Sequence, residues 1–83
     1  MFSIRFQRTI MITRHAQMRM LEREVNACLL LEVIDSGEVR YRDATHLWVF
    51  KAFTERLDNQ LCAVVVLEDA LVVKTVMHHF EVI

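Results

Sequence analysis

The 83 residues contain no proline and a single glycine, Gly37. So few breakers exclude a Pro- or Gly-rich linker, and 54% hydrophobic content excludes a disordered chain. A packed core is expected instead. At this length there is room for one domain, which buries roughly 60–65% of the surface its unfolded chain exposes. Cysteine is scarce too. Cys28 and Cys62 stand alone among apolar neighbours with no C-x-x-C spacing, so both are expected to be buried, reduced thiols rather than a disulfide or metal pair. Long hydrophobic runs are missing: segments such as Leu61–Leu67 fall far short of the ~20 residues that span a bilayer. No basic-then-apolar leader is present, so a cytoplasmic protein without membrane attachment is expected.

Nor is there an excess of charge of one sign, since the formal net charge is −1. Its distribution is uneven, however. Residues 1–23 carry Arg5, Arg8, Arg14, Arg19 and Arg23 against Glu22, a net +4, whereas residues 24–83 have a net −5. Such a split suits an anion or the acidic segment of a partner at the N-terminal third, and equally a solvated charged face.

Hydrophobic periodicity divides the chain. Residues 1–12 alternate through Phe2, Ile4 and Phe6, which reads as a short strand or an N-terminal arm. Met11 is an alternative start, which would make the first ten residues an extension that the domain in residues 13–83 does not require. Thr13 is placed to cap a helix running to about Arg23, and Asn26 to cap a second one over Ala27–Ser36. Gly37 is expected to end that helix in a left-handed conformation. From Glu38 the period becomes two, with strands over the region from Val39, His46–Phe53, Gln60–Leu67 and Leu71–Met77. Breaks at Asp43-Ala44-Thr45, Thr54–Asn59 and Glu68-Asp69-Ala70 suit hairpins. Leu61–Leu67 is apolar on both faces and should be central. The expected class is α+β in the order α-α-β-β-β-β, with both helices on one face of a four-stranded antiparallel sheet.

Three side chains on the first helix, His15, Arg19 and Arg23, recur every four residues and share one gently drifting stripe, with Arg14 and Glu22 beside it. An imidazole with guanidiniums can grip a phosphate and move a proton near neutral pH. The same residues can instead brace the fold, Arg19 and Arg23 pairing with acids and His15 bonding a carbonyl. His46, His78 and His79 lie in or after strands, where alternation sends His78 and His79 to opposite faces. No spacing of three or four converging ligands is present, so no metal and no cofactor are expected. Ser3 and Ser36 sit at an arm and a helix end, a poor setting for a nucleophile. Trp48, Phe50 and Phe53 can stack on bases or pack the core.

The stretch Thr13-Arg14-His15-Ala16-Gln17-Met18-Arg19-Met20-Leu21-Glu22-Arg23, then a helix ending Ser36-Gly37-Glu38-Val39 and a late Thr75-Val76, resembles the prokaryotic domain-of-unknown-function family 4258. That family opens with a pattern close to HA-x-x-R-M-x-E-R. Where it carries Gly-Ile after this motif, the chain has Glu24-Val25. The resemblance covers about residues 12–77 and implies a RelE-like scaffold, a group that includes ribonucleases of toxin–antitoxin systems. It implies metal-independent RNA cleavage, with His15 as acid/base, Arg19 and Arg23 as phosphate clamp, and Arg14, Glu22 and His78 as further candidates. RNA and an antitoxin are then the expected partners. The rival expectation is a non-catalytic module whose basic helix binds an acidic partner peptide or a second copy, as a homodimer.

Overall fold

The computed structural model describes residues 1–53 and 60–78. In chain order the elements are β1 (Phe2–Ser3), β2 (Arg8–Ile12), α1 (Arg14–Glu22), α2 (Ala27–Ser36), β3 (Glu38–Tyr41), β4 (His46–Ala52), β5 (Gln60–Leu67) and β6 (Leu71–His78). The expected break over 54–59 lies outside the described residues, as does His79.

Both helices begin where the sequence places a cap. The Thr13 hydroxyl accepts from the Ala16 amide at 3.1 Å, and the Asn26 carboxamide oxygen from the Leu29 amide at 2.8 Å. Each thereby satisfies an amide of the first turn that has no partner inside the helix. α1 ends in a reciprocal pair of backbone bonds: the Val25 amide donates to the Met20 carbonyl at 2.8 Å and the Glu24 amide to the Leu21 carbonyl at 3.3 Å. This is the Schellman arrangement, and it demands a left-handed residue at its bend. Glu24 takes that conformation, with φ of 55°. Val25 and Met20 are both buried, which closes the turn with an apolar contact across the cap.

At the end of α2 the expectation for Gly37 is corrected. Its φ is −76° and its ψ 172°, ordinary extended backbone that any residue adopts. Glycine is required there for room: a Cβ would stand 2.5 Å from the Val33 carbonyl oxygen and 2.6 Å from that of Phe50. The chain turns from α2 into β3 while pressed against the backbone of β4.

The sheet also differs from the expected four antiparallel strands. Among the described residues it has six, in the order β1-β2-β6-β5-β4-β3, and forms a half-barrel. The residues read as an arm supply the two extra strands, and β2 runs parallel to β6 with Ile10, Met11 and Ile12 opposite Leu71, Val72 and Val73. That pair joins segments about sixty residues apart, a relation no local period encodes. α1 lies against β6, while α2 touches β4, β5 and β1.

Alternation assigns the faces. Ile10, Leu47, Val49, Leu61, Ala63, Val65, Leu71, Val73 and Val76 join one cluster with Ala16, Met20, Leu30, Val33 and Ile34 of the helices. β6 keeps its apolar residues in this cluster only by a bulge. Val64 faces Thr75 and Val65 faces Val73, so Lys74 is an extra residue with no register partner on β5.

The first residues bind the end of α2. Buried Ser3 donates to the Asp35 carboxylate at 2.6 Å and accepts from the Phe6 amide at 3.1 Å. Arg5 Nη1 donates to the carbonyls of Ile34 and Gly37 at 3.2 and 2.6 Å. A cation thus meets the negative end of the helix dipole and two carbonyls that the helix leaves open.

Candidate functional site

β2 leaves the sheet at Ile12, and the chain turns directly into α1 beside the continuing β6. Thr13 makes that turn: its amide donates to the Val73 carbonyl at 3.2 Å and its hydroxyl to the Lys74 carbonyl at 3.2 Å. Two residues on, His15 Nε2 lies 3.2 Å from the Thr75 hydroxyl. Both carbonyl partners of Thr13 sit at the bulge, so the irregularity in β6 and the start of α1 fix each other. The result is an exposed imidazole held against a strand hydroxyl.

At ~100° per residue, the positions His15, Arg19 and Arg23 step round α1 toward the buried stripe of Ala16 and Met20. His15 is exposed, whereas Arg19 and Arg23 are half-buried. Arg19 Nη1 reaches both oxygens of Glu22 at 2.8 and 2.9 Å. This pair lies at the surface, where such contacts contribute about 0.2–1 kcal/mol, so a phosphate can displace Glu22. Arg14 is turned ~100° away from His15, onto an outward face with Met18 and Leu21, which are 59% and 82% exposed. The structure therefore separates Arg14 from the stripe. His78 pairs in register with Leu61. That places it on the helix-side face of β6, ~10 Å of strand beyond Thr75.

Two further constellations lie elsewhere. In the β3–β4 turn, one Asp43 oxygen accepts from the amides of Thr45 and His46 at 2.9 and 2.8 Å and from His46 Nδ1 at 2.9 Å. The Thr45 amide, with the imidazole and amide of His46, holds the Asp43 carboxyl well below the usual carboxylate range. A cleft of about 200 Å³ opens where α2 meets the ends of β4 and β5, lined by Gly37, Phe50, Lys51 and Gln60 among others. Its cation is already engaged, since Lys51 Nζ donates to Ser36 Oγ at 2.8 Å and contacts Glu32 at 3.1 Å. None of His15, Arg14, Arg19, Glu22, Arg23 and His78 lines it.

The cysteines divide. Cys28 is exposed near the start of α2, against expectation, because the apolar stripe of that helix falls on Leu30, Val33 and Ile34. Cys62 is buried, and burial pushes its thiol up to about 12. Among the described residues no three His, Cys, Asp or Glu side chains are grouped to hold a metal ion. No helix there is long and apolar enough to cross a membrane.

In the sequence Thr75 stands out only within the late T-V motif, and Trp48 only as an aromatic residue that can stack or pack. Their signal was the alternation of Arg40 and Arg42 with Val39 and Tyr41, which marks a polar row on one face but cannot say what lies across from it.

No curated protein and no solved structure matches the chain. One family model does, over residues 12–78, from the first turn into α1 through the end of β6. The His15–Thr75 contact joins the two ends of that matched span, and the chain belongs to the family described as Domain of unknown function (DUF4258).

Proposed function

We propose that this protein is a metal-independent, toxin-type endoribonuclease whose chemistry is carried out at the junction of α1 and β6. The observation that carries this reading is the exposed His15 imidazole, positioned by Thr75 at 3.2 Å with Arg19 one turn further along the same helix. In the reaction, His15 removes the proton from a ribose 2′-hydroxyl, the 2′-oxygen bonds to the adjacent phosphorus, and the bond to the 5′-oxygen breaks. The leaving oxygen takes a proton from water, giving a 2′,3′-cyclic phosphate and a 5′-hydroxyl end. Arg19, released from Glu22, and Arg23 offset the charge that develops on the phosphoryl oxygens.

Incubating single-stranded RNA with the protein in EDTA tests this. Wild type is expected to cleave. His15→Ala is expected to lose about 10²–10⁴-fold in rate and Arg19→Ala about 10²–10³-fold. RNA left intact by micromolar wild-type protein defeats the proposal.

A second reading, a binding module for an acidic partner peptide, is favoured by one observation: Arg14, Met18 and Leu21 share an exposed face of α1. That mixture of cation and apolar surface fits an amphipathic acidic segment. Such a complex weakens with salt, and a monomer that retains no partner at low salt counts against it.

A further inference from the structure

The cross-strand register lines up one row across the sheet on the face turned away from the helical core. Arg40 of β3 stands opposite Trp48 of β4, Trp48 opposite Val64 of β5, and Val64 opposite Thr75 of β6. Thr75 is the residue whose hydroxyl contacts His15. Four strands and one helix therefore contribute, in order, a cation, an indole, an apolar floor, a hydroxyl and an imidazole. The row crosses three interstrand gaps, ~14 Å.

The neighbouring row runs through His46, Val66, Val72 and Met11. A second cation lies near its outer end, where the Arg42 amide donates to the His46 carbonyl at 2.8 Å. Arg40 and Arg42 are exposed, and Trp48, Val64 and Thr75 are half-buried. Phe50 and Cys62, the next pair along, are buried and close the platform on that side.

We infer that this row is the track on which a single strand of RNA lies: a base stacks on Trp48, Arg40 and Arg42 hold phosphates, and the backbone crosses Val64 to reach His15. Stacking on an aromatic side chain is tolerant of sequence, because every base offers a π-face, and the flanking guanidiniums supply the charge complementarity to a polyanion. The bulge at Lys74 makes the track continuous. By shifting the phase of β6, it turns Thr75 to this face while Val76 stays in the core. The inference deepens the ribonuclease reading and rests on it for the role of His15, but binding along the track stands or falls separately.

Trp48 is the only tryptophan in the chain, so its fluorescence reports on the row directly. The experiment titrates the full chain with a fluorescein-labelled, 2′-O-methylated single-stranded oligonucleotide, which has no 2′-hydroxyl to react, and follows indole quenching and anisotropy. Saturable quenching that weakens with salt is expected. Trp48→Ala is expected to weaken binding about 5- to 150-fold, the range one stacked base supplies, with Trp48→Phe recovering most of the loss. Exposed Arg40→Gln is expected to weaken it and reduce the salt dependence. Tyr41→Ser, on the same strand but the other face, should leave the affinity unchanged. Binding that Arg40→Gln and Trp48→Ala leave untouched, or no binding, overturns the track. Binding by the track without cleavage of unmodified RNA supports it and removes the catalytic reading instead.

Discussion

Glu24 and Gly37 make opposite demands on the backbone, and exchanging their chemistry tests the account of both turns. Glu24 holds φ of 55° at the bend that ends α1. For a residue with a Cβ, the left-handed region costs roughly 1–2 kcal/mol. Glycine removes that strain but gives up about 0.5–1 kcal/mol of backbone entropy. Glu24→Gly is therefore expected to stabilise by about 0.5–1 kcal/mol, a rise of about 2–8 °C in melting temperature for a domain of this size. Gly37→Ala is expected to do the reverse. Its new methyl would lie 2.5 and 2.6 Å from two backbone oxygens, neither of which can swing aside like a side chain. Overpacking of that kind costs about 1–3 kcal/mol, lowering the midpoint by about 4–20 °C. Thermal unfolding followed by circular dichroism measures both. Glu24→Ala is the control, since it keeps a Cβ at the strained position and discards the carboxylate. If Glu24→Gly melts no higher than Glu24→Ala, the strain argument is wrong. If Gly37→Ala melts like wild type, the close approach of β4 does not constrain that turn.

Other outcomes follow from single side chains. Thr13→Ala removes both a cap and a tie to β6, and urea unfolding should show a loss of about 1–2 kcal/mol; Thr13→Ser should restore most of it. Because folding lowers the Asp43 carboxyl, its contribution is complete above the unfolded value near 3.9 and is lost as pH falls below that toward the folded value. Melting temperature against pH should accordingly fall less steeply in acid for Asp43→Asn than for wild type, and parallel curves would refute the linkage. With Cys28 exposed and Cys62 buried with its thiol pushed up to about 12, a disulfide reagent at pH 8 should titrate one thiol quickly and the second only on denaturation. Asp35→Ala leaves the buried Ser3 hydroxyl without its acceptor and is expected to cost about 1–3 kcal/mol. An unchanged unfolding midpoint would show that the first residues do not secure α2.

What the sequence made legible was what neighbouring residues decide among themselves. Thr13 and Asn26 cap as expected because capping spans three residues, and Leu61–Leu67, apolar on both faces, has a strand on each side. The first twelve residues were legible as a short strand or an arm, from Phe2, Ile4 and Phe6, but not as a strand parallel to β6, since the partner lies some sixty residues on and the pairing is set by the whole sheet. Gly37 is conspicuous as the single glycine, yet its role is to leave room and not to supply a left-handed bend. A glycine needed for a neighbour's carbonyl looks the same in sequence as one needed for a positive φ. The candidate site divides in the same way: the helical spacing of His15, Arg19 and Arg23 is a local fact, whereas Thr75 and the Arg40–Trp48 row exist only once register is known.

The bulge at Lys74 places the domain one residue from a different molecule. Strand faces are assigned by parity, and one unpaired residue changes the parity of all that follows it. Take Lys74 into the ladder opposite Val64 instead: Thr75 moves inward opposite Ala63, Val76 moves out opposite Cys62, and the hydroxyl beside His15 gives way to the Lys74 side chain. The same letters paired without the bulge would keep the same strands, yet carry different chemistry at the edge of β6. Loss of Lys74 alone would remove only the unpaired residue and leave Thr75 opposite Val64, so what meets His15 is set by the register of β6 and not by the letters of the T-V pair alone.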